Sequence, residues 1–146
     1  MLYQLVVDKV REVSTEPEKT LLFDVCCGTG TIGLTCMKAG VVGQVVGVDI
    51  SEPAIADAKT NAELNGFSTS AESKTRFVAA RAEHVLSQEI GKAKKSKSDL
   101  KFVAVVDPAR EGLHCDVVKT LRSNERIQRI VYVRKRRCCS VEFNEH

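Results

Sequence analysis

The chain has 146 residues, of which 43% are hydrophobic and 28% charged, and this composition is typical of one globular domain with a sizeable core. The net charge of +3 is mildly basic, which permits a nucleic-acid partner without indicating one. No apolar run is long enough to cross a bilayer, and the first residues lack the layout of a secretory signal. We therefore expect no membrane partner and an intracellular location: cytoplasm, nucleus or mitochondrial matrix.

Helical and strand patterns alternate along the chain. The predicted helices cover residues 2–13, 31–39, 52–65, 82–90 and 113–121, and the predicted strands cover residues 21–26, 44–50, 76–80, 100–106 and 127–133. This alternation predicts an α/β fold, with a mostly parallel sheet and helices on both faces. Ligands of such sheets bind at the carboxyl ends of the strands, near the point where the strand order reverses.

A basic, polar run lies between the fourth helix and the fourth strand, at residues 92–98. No aromatic residues are interleaved with its lysines, as they often are in surfaces that bind single-stranded RNA. We therefore expect a solvated loop here in preference to an RNA-contacting patch.

The six cysteines include no pair with C-x-x-C spacing, so we expect no metal site and reduced thiols.

A glycine-rich turn follows the first strand and begins the second helix, with Gly28, Gly30 and Gly33 in the spacing G-x-G-x-x-G. Such turns let a nucleotide-type cofactor approach the backbone. Read literally, the spacing predicts NAD binding, with Asp49 on the ribose. However, Asp24 near the strand end would repel a pyrophosphate and attract the ammonium and sulfonium groups of S-adenosylmethionine. The residues thus favour S-adenosylmethionine and leave NAD as an alternative.

Three carboxylates, those of Asp24, Asp49 and Asp107, come at or just after apolar strands. Because the carboxyl ends of parallel strands meet at one edge of a sheet, we expect these side chains to share a rim. Because all three occur at the ends of apolar strands, a shared binding site is favoured over unrelated surface acids.

Five segments together resemble a known family. They are residues 24–34 (DVCCGTGTIGL), 47–49 (GVD), 61–66 (NAELNG), 81–83 (RAE) and 107–114 (DPAREGLH). The combination resembles the RNA uracil-5 methyltransferases, and above all the animal tRNA (uracil-5-)-methyltransferases, over residues 2–133. The resemblance implies a class I, Rossmann-like methyltransferase core that uses S-adenosylmethionine to form 5-methyluridine in RNA, with S-adenosylhomocysteine as product. Its RNA partner would be tRNA or another RNA in the complete protein.

The resemblance also implies which residues hold the cofactor. Contacts would fall on Cys26 and Thr31 around the loop, with Ala82 and Glu83 bordering the adenine, although Glu83 could equally be a helix-capping residue. Together with the glycines and carboxylates above, the predicted cofactor-binding residues are Asp24, Cys26, Gly28, Gly30, Thr31, Asp49, Ile50, Ala82, Glu83 and Asp107.

The chain departs from the family after the fifth strand. The resemblance places a nucleophilic cysteine where this sequence has Lys135, and Cys138 and Cys139 come roughly 10 Å of extended chain too late. The family's catalytic glutamate and RNA-binding domains have no counterpart here. We therefore assign no catalytic residue and expect a methyltransferase core at residues 1–133, with a divergent basic tail at 134–146. The non-enzyme alternative is a catalytically inactive methyltransferase-like binding module, and the enzyme alternative is an NAD-dependent oxidoreductase.

The fifth strand should also be the last one, which would leave residues 130–133 at an unpaired edge. Unpaired edges invite pairing with another chain. We expect this edge to be covered either by a second chain or by the tail at residues 138–146.

Overall fold

A computed structural model describes residues 2–109, 112–134 and 137–142, the last of these as backbone. The helices are α1 (Leu2–Val13), α2 (Thr31–Lys38), α3 (Glu52–Leu64), α4 (Ala82–Lys95) and α5 (Cys115–Arg122), and a short 3₁₀ turn at Pro17–Lys19 precedes the first strand. The strands are β1 (Thr20–Val25), β2 (Gln44–Asp49), β3 (Thr75–Ala79), β4 (Lys101–Val106), β5 (Ile127–Arg134) and β6 (Arg137–Glu142). No helix in these ranges is long and apolar enough to cross a membrane.

All six strands form one sheet in the order β3-β2-β1-β4-β5-β6. Strands β1 to β5 all run parallel to one another, so the predicted α/β class with a mostly parallel sheet is confirmed. Strands β2 and β3 follow β1 on one side of the sheet, and strands β5 and β6 follow β4 on the other side. The reversal therefore lies between β1 and β4, directly below the glycine turn that follows β1, which is where doubly wound sheets bind their ligands.

Helices cover both faces of the sheet. On one face Phe23 and Phe102 pack against each other, with ring centroids 5.2 Å apart, among buried residues of α4 and α5. On the other face Leu22 and Val103 lie among buried residues of α1 and α2. Every residue of β1 is buried, so the strand that carries the glycine turn is fixed on both sides.

The sheet has one strand more than the sequence predicted. Strand β6 runs antiparallel to β5, and Cys138 pairs with Val133 while Val141 pairs with Ile130. The expectation that the sheet is truncated after its fifth strand therefore needs correction. The backbone groups at the edge of β5 are satisfied by the chain turning back on itself, which is the tail-covered arrangement of the two that we expected.

Helix α4 is also longer than predicted, because it continues past residue 90 to Lys95. Ala93 is buried against the core of α4 and α5, and that contact extends the apolar side of the helix by a turn. Lysine is a good helix former, and lysines in the last turn interact favourably with the helix dipole. The first half of the basic run is therefore helical, where the sequence predicted a loop.

Candidate cofactor site

The turn between β1 and α2 adopts an unusual backbone. Cys26, Gly28 and Gly30 all have positive φ angles, of 59°, 53° and 79°. Two hydrogen bonds hold this shape: Cys27 N–H donates to the Val48 carbonyl at 3.1 Å, and Gly30 N–H donates to the Cys27 carbonyl at 2.9 Å. Cys26 is a non-glycine residue in the left-handed region, a conformation that costs energy and tends to occur at functional sites.

Close packing explains two of the glycines. A Cβ atom on Gly30 would lie 2.8 Å from the ring of Phe77, and one on Gly33 would lie 2.7 Å from Cγ1 of Val45. Phe77, on β3, thus fills the space directly beneath the turn. Any side chain at position 30 would have to displace that ring, which ties the shape of the turn to the hydrophobic packing below it.

Asp49, the last residue of β2, connects two loops. Its Oδ2 accepts a hydrogen bond from Gly28 N–H at 2.9 Å, and its Oδ1 accepts one from Ser51 N–H at 3.0 Å. Each carboxylate oxygen has a second lone pair, and Asp49 is only half-buried. The carboxylate can therefore hold the glycine turn in place and still accept hydrogen bonds from a ligand.

Asp24 lies beneath the turn, not on the open rim that the sequence suggested. It is fully buried, and its Oδ2 accepts a hydrogen bond from Gly33 N–H at 3.0 Å. Its Oδ1 is buried without a hydrogen-bond partner among the described residues. Burial raises the pKa of Asp24 to about 7, against the lowering effect of the Gly33 N–H, and the carboxylates of Asp107 and Asp49 raise it further.

Asp107 follows β4 and is exposed on the rim. Its backbone N–H donates to the Val25 carbonyl at 3.2 Å, which places it beside the end of β1. Although the residue as a whole is exposed, partial desolvation of its carboxyl raises the pKa of that group. Within the described ranges, no salt bridge joins Asp24, Asp49 or Asp107 to a basic side chain, so the acidity of Asp49 and Asp107 on the rim has no ion-pair partner among the described residues.

The thiol of Cys26 lies in this acidic surrounding. Burial, followed by the negative charges of Asp49, Asp107 and Asp24, raises its pKa. The thiol therefore stays protonated at neutral pH and is a poor nucleophile. Thr31 begins α2 and is exposed, with its hydroxyl 3.2 Å from that of Thr29.

The remaining predicted residues also lie at the carboxyl end of the sheet. Ile50 follows Asp49 and is 79% exposed, which leaves a large apolar side chain on the rim. Ala82 and Glu83 are half-buried in the first turn of α4, just after β3. Ala80 N–H donates to the Asp49 carbonyl at 3.0 Å and so keeps this segment beside β2.

Two residues that hold the glycine turn were not among our predictions. Phe77 supports the turn from below, as described above. Asn61, on α3, donates from its side-chain amide to the Thr29 carbonyl at 3.1 Å. Asn61 belongs to one of the five segments that carry the family resemblance, but nothing in its spacing indicated a contact with a turn 32 residues earlier in the chain.

One group of potential metal ligands occurs among the described residues: His114, Cys115 and Asp116, all exposed. His114 Nδ1 already accepts a hydrogen bond from Asp116 N–H at 3.2 Å and so caps the start of α5. The expected absence of a metal stays a prediction. Lys135, at the position of the expected nucleophile, lies outside the described residues, as does Arg110 in the segment after β4.

The sequence and fold were compared with known proteins. Residues 17–132 match the model of a methyltransferase domain. The chain belongs to the methyltransferase domain family. The match covers β1 to β4, the helices α2 to α5 and most of β5, and it therefore includes the glycine turn, the buried Asp24 and the two rim carboxylates, Asp49 and Asp107.

Two similar proteins have names that are more specific than that of the domain family. The chain is 40% identical over 134 residues to the tRNA (uracil-5-)-methyltransferase homolog B of Mus musculus and 36% identical over 133 residues to that of Homo sapiens. Each alignment covers 91% of this chain and 24% of the relative, so the chain spans about a quarter of the length of these relatives. The resemblance predicted from the five segments is confirmed.

Solved structures agree on the fold. A methyltransferase from Podospora anserina, solved with bound S-adenosylhomocysteine, superposes with a TM-score of 0.62 over 89% of this chain and 50% of its own. At 17% sequence identity, this similarity shows a shared Rossmann-like methyltransferase fold.

Proposed function

We propose that the rim binds S-adenosylmethionine, whose sulfonium carries the transferable methyl group. The observation that carries this proposal is the uncompensated acidity of the rim, where Asp49 and Asp107 flank a glycine turn with no basic side chain paired to them in the described ranges. A cationic ligand is attracted to such a rim, whereas the pyrophosphate of NAD is repelled by it. Membership of the methyltransferase domain family supports the same choice.

Each predicted residue then has a role in holding the ligand. The free lone pairs of Asp49 would accept hydrogen bonds from the ribose hydroxyls, and the exposed Ile50 would cover one face of the adenine. Ala82 and Glu83 would border the edge of the adenine.

The glycine turn and the strand beside it supply the remaining contacts. The ligand would lie between the turn, with Cys26, Gly28, Gly30 and Thr31, and Asp107 on the opposite side. Asp24 would act from below, where it fixes the start of α2 through Gly33.

Substitution of Asp49 tests these roles. Asp49→Ala should weaken S-adenosylhomocysteine binding by about 1.5–3 kcal/mol, the usual scale for hydrogen bonds to a charged group. The matched control is Asp57→Ala, which removes an equal charge from an exposed position on α3. Calorimetric titration should detect the loss in the first variant alone. An affinity unchanged by Asp49→Ala would remove this carboxylate from the site.

We further propose that residues 1–133 are the cofactor-binding core of an RNA uracil-5 methyltransferase, with tRNA as its target in the complete protein. The relatives named above and the segment at residues 107–114 support this choice. It also implies an intracellular location. C5 of uracil becomes nucleophilic only after a thiolate adds at C6, and the target base must leave its stack to be reached.

The chain alone should bind cofactor without completing this reaction. Lys135 stands at the nucleophile position, and lysine has an ordinary pKa of about 10.4, so it is protonated at neutral pH. The backbone register supports the view that no later cysteine replaces it. Cys138 pairs with Val133 and Cys139 with Tyr132, so both positions run back along β5 instead of extending past its end.

A methyl-transfer assay tests the prediction that the chain alone does not methylate RNA. With labelled S-adenosylmethionine and uridine-containing tRNA, the purified chain should leave the RNA unlabelled. Labelling that persists in a Cys138→Ser/Cys139→Ser double variant would mean that the nucleophile lies elsewhere in the chain. The second candidate function, an inactive methyltransferase-like binding module, rests on the same Lys135. It is favoured if a longer form of the protein with this tail also fails to methylate.

A further inference from the structure

The basic turn, defined here as residues 92–98, carries four lysines and no acidic residue. Lys92, Lys94, Lys95 and Lys97 are all exposed. Lys92 lies 3.5 Å from Glu89, a carboxylate that Arg76 already binds through both of its oxygens. In the described part of the chain, Lys94, Lys95 and Lys97 have no ion pair.

The turn has a defined backbone and is not a loose loop. Ser98 N–H donates to the Ala93 carbonyl at 3.0 Å and Lys97 N–H donates to the Lys94 carbonyl at 3.2 Å, the two hydrogen bonds of a Schellman motif. Arg126, before β5, donates to the Ser98 carbonyl at 2.8 Å. The lysines are therefore presented from a fixed backbone.

Lys97 occupies a position in this motif that normally belongs to glycine. Its φ is +51°, in the left-handed region where a Cβ atom costs energy. Helices α2 and α3 end in the same motif, and there the chain uses Gly40 and Gly66, with φ of 70° and 84°. Of these three helix ends, only the basic turn has a lysine at the left-handed position. Lys97 is therefore a strained residue at the end of α4, and it adds to the positive charge of the basic turn.

We infer that the basic turn binds the phosphate backbone of the RNA substrate, an inference that rests on the proposed function. Three ammonium groups without an ion pair among the described residues, on a fixed turn, suit a polyanion. The lack of aromatic side chains, from which the sequence predicted a solvated loop, argues against stacking on bases but not against contact with phosphates. The two acids next to the turn already have cationic partners, since Glu89 is bound by Arg76 and Asp99 is bridged by Lys19 at 3.0 Å.

The geometry places this contact away from the reaction. Helix α4 begins at the carboxyl rim and has 14 residues, so its last turn lies about 20 Å from the rim. Phosphates bound there belong to nucleotides well removed from the base being methylated. Such contacts position an RNA and are independent of its sequence. The turn would therefore strengthen binding of long RNA and leave a short oligonucleotide unaffected.

RNA binding by charge-matched variants tests the inference. A Lys94→Gln/Lys95→Gln/Lys97→Gln variant should bind a fluorescent RNA hairpin of about 20 nucleotides roughly tenfold more weakly, with a salt-dependence slope smaller by about 2–3. The control, Lys38→Gln/Lys59→Gln/Lys119→Gln, loses the same charge from exposed positions on other helices. Equal losses in both variants, no loss in either, or no RNA binding by the unmodified chain at low salt would overturn the inference.

Lys97 itself provides a sharper comparison. Lys97→Gly should raise the melting temperature and weaken RNA binding, whereas Lys97→Gln should weaken binding without raising the melting temperature. A glycine variant that melts higher and binds RNA as tightly as the unmodified chain would contradict the inference. Titration of S-adenosylhomocysteine into the same variants keeps the two proposals apart, because the cofactor should bind all of them equally if the rim is intact.

Discussion

The buried carboxyl of Asp24 should make the stability of the domain depend on pH. Its folded pKa of about 7 is set mainly by burial, whereas an unfolded aspartate titrates near 3.9. Between these two values the unfolded chain releases a proton that the folded chain keeps. The contribution of Asp24 to the free energy of unfolding should therefore be greatest below about pH 4 and should fall by up to about 4 kcal/mol as the pH rises toward 7.

Asp24→Asn is the variant that isolates this effect. The asparagine side chain has nearly the same shape, stays uncharged, and can still accept the hydrogen bond from Gly33 N–H through its Oδ1. At pH 4 the variant and the unmodified chain should have similar stabilities. At pH 8 the variant should be more stable, because it avoids burying a charge beneath the glycine turn.

Urea denaturation followed by circular dichroism from pH 4 to pH 8 measures the difference. The difference between the two proteins is the informative quantity, since Glu12, Glu89 and Asp99 have lowered pKa values and give the opposite pH trend in both. Asp57→Asn, at an exposed position, is the control. If the stability difference between the Asp24→Asn variant and the unmodified chain is constant across this range, Asp24 is ionised in the folded protein and the reasoning is wrong.

Two further predictions concern the turn and the sheet edge. Gly30→Ala should destabilise the domain by roughly 2–4 kcal/mol, because alanine is strained in the left-handed conformation and its Cβ would clash with Phe77. The control, Gly91→Ala in α4, places its Cβ in open space and should be neutral or slightly stabilising. Equal melting temperatures for the two variants would contradict the prediction and show that the turn can relax. A chain ending at Arg134 should self-associate in sedimentation experiments, because removal of β6 exposes the edge of β5; a monomer with protected amides at residues 130–133 would contradict this.

The sequence predicted the fold well where the pattern is local. Buried strands such as β1 and β4 are apolar runs that end in turn signals, and their bounds differ from the structure by one residue. Strand β6 was missed for a physical reason. Its residues carry mixed charged and small side chains without alternation, and what makes them a strand is the unpaired edge of β5, a non-local cause. The extension of α4 likewise depends on the tertiary contact of Ala93.

The sequence predicted the position of most candidate site residues in the fold, but not all of their contacts. Asp49 and Asp107 lie on the rim as expected, because strand ends are readable from sequence. Asp24 was also expected there, yet the period-2 alternation of β1 points its side chain into the interior beneath α2. The contacts of Asn61 and Phe77 with the turn come from α3 and β3, and no spacing rule could have indicated them.

The central claim, that the acidic rim around the glycine turn is an S-adenosylmethionine site, is tested most directly by calorimetry. S-adenosylhomocysteine and NAD should be titrated separately into the purified chain, with the Asp49→Ala variant alongside. We expect S-adenosylhomocysteine to bind, its affinity to fall in the variant, and NAD to give no binding heat. Binding of NAD alone would contradict the claim and would return the G-x-G-x-x-G spacing to its dinucleotide interpretation.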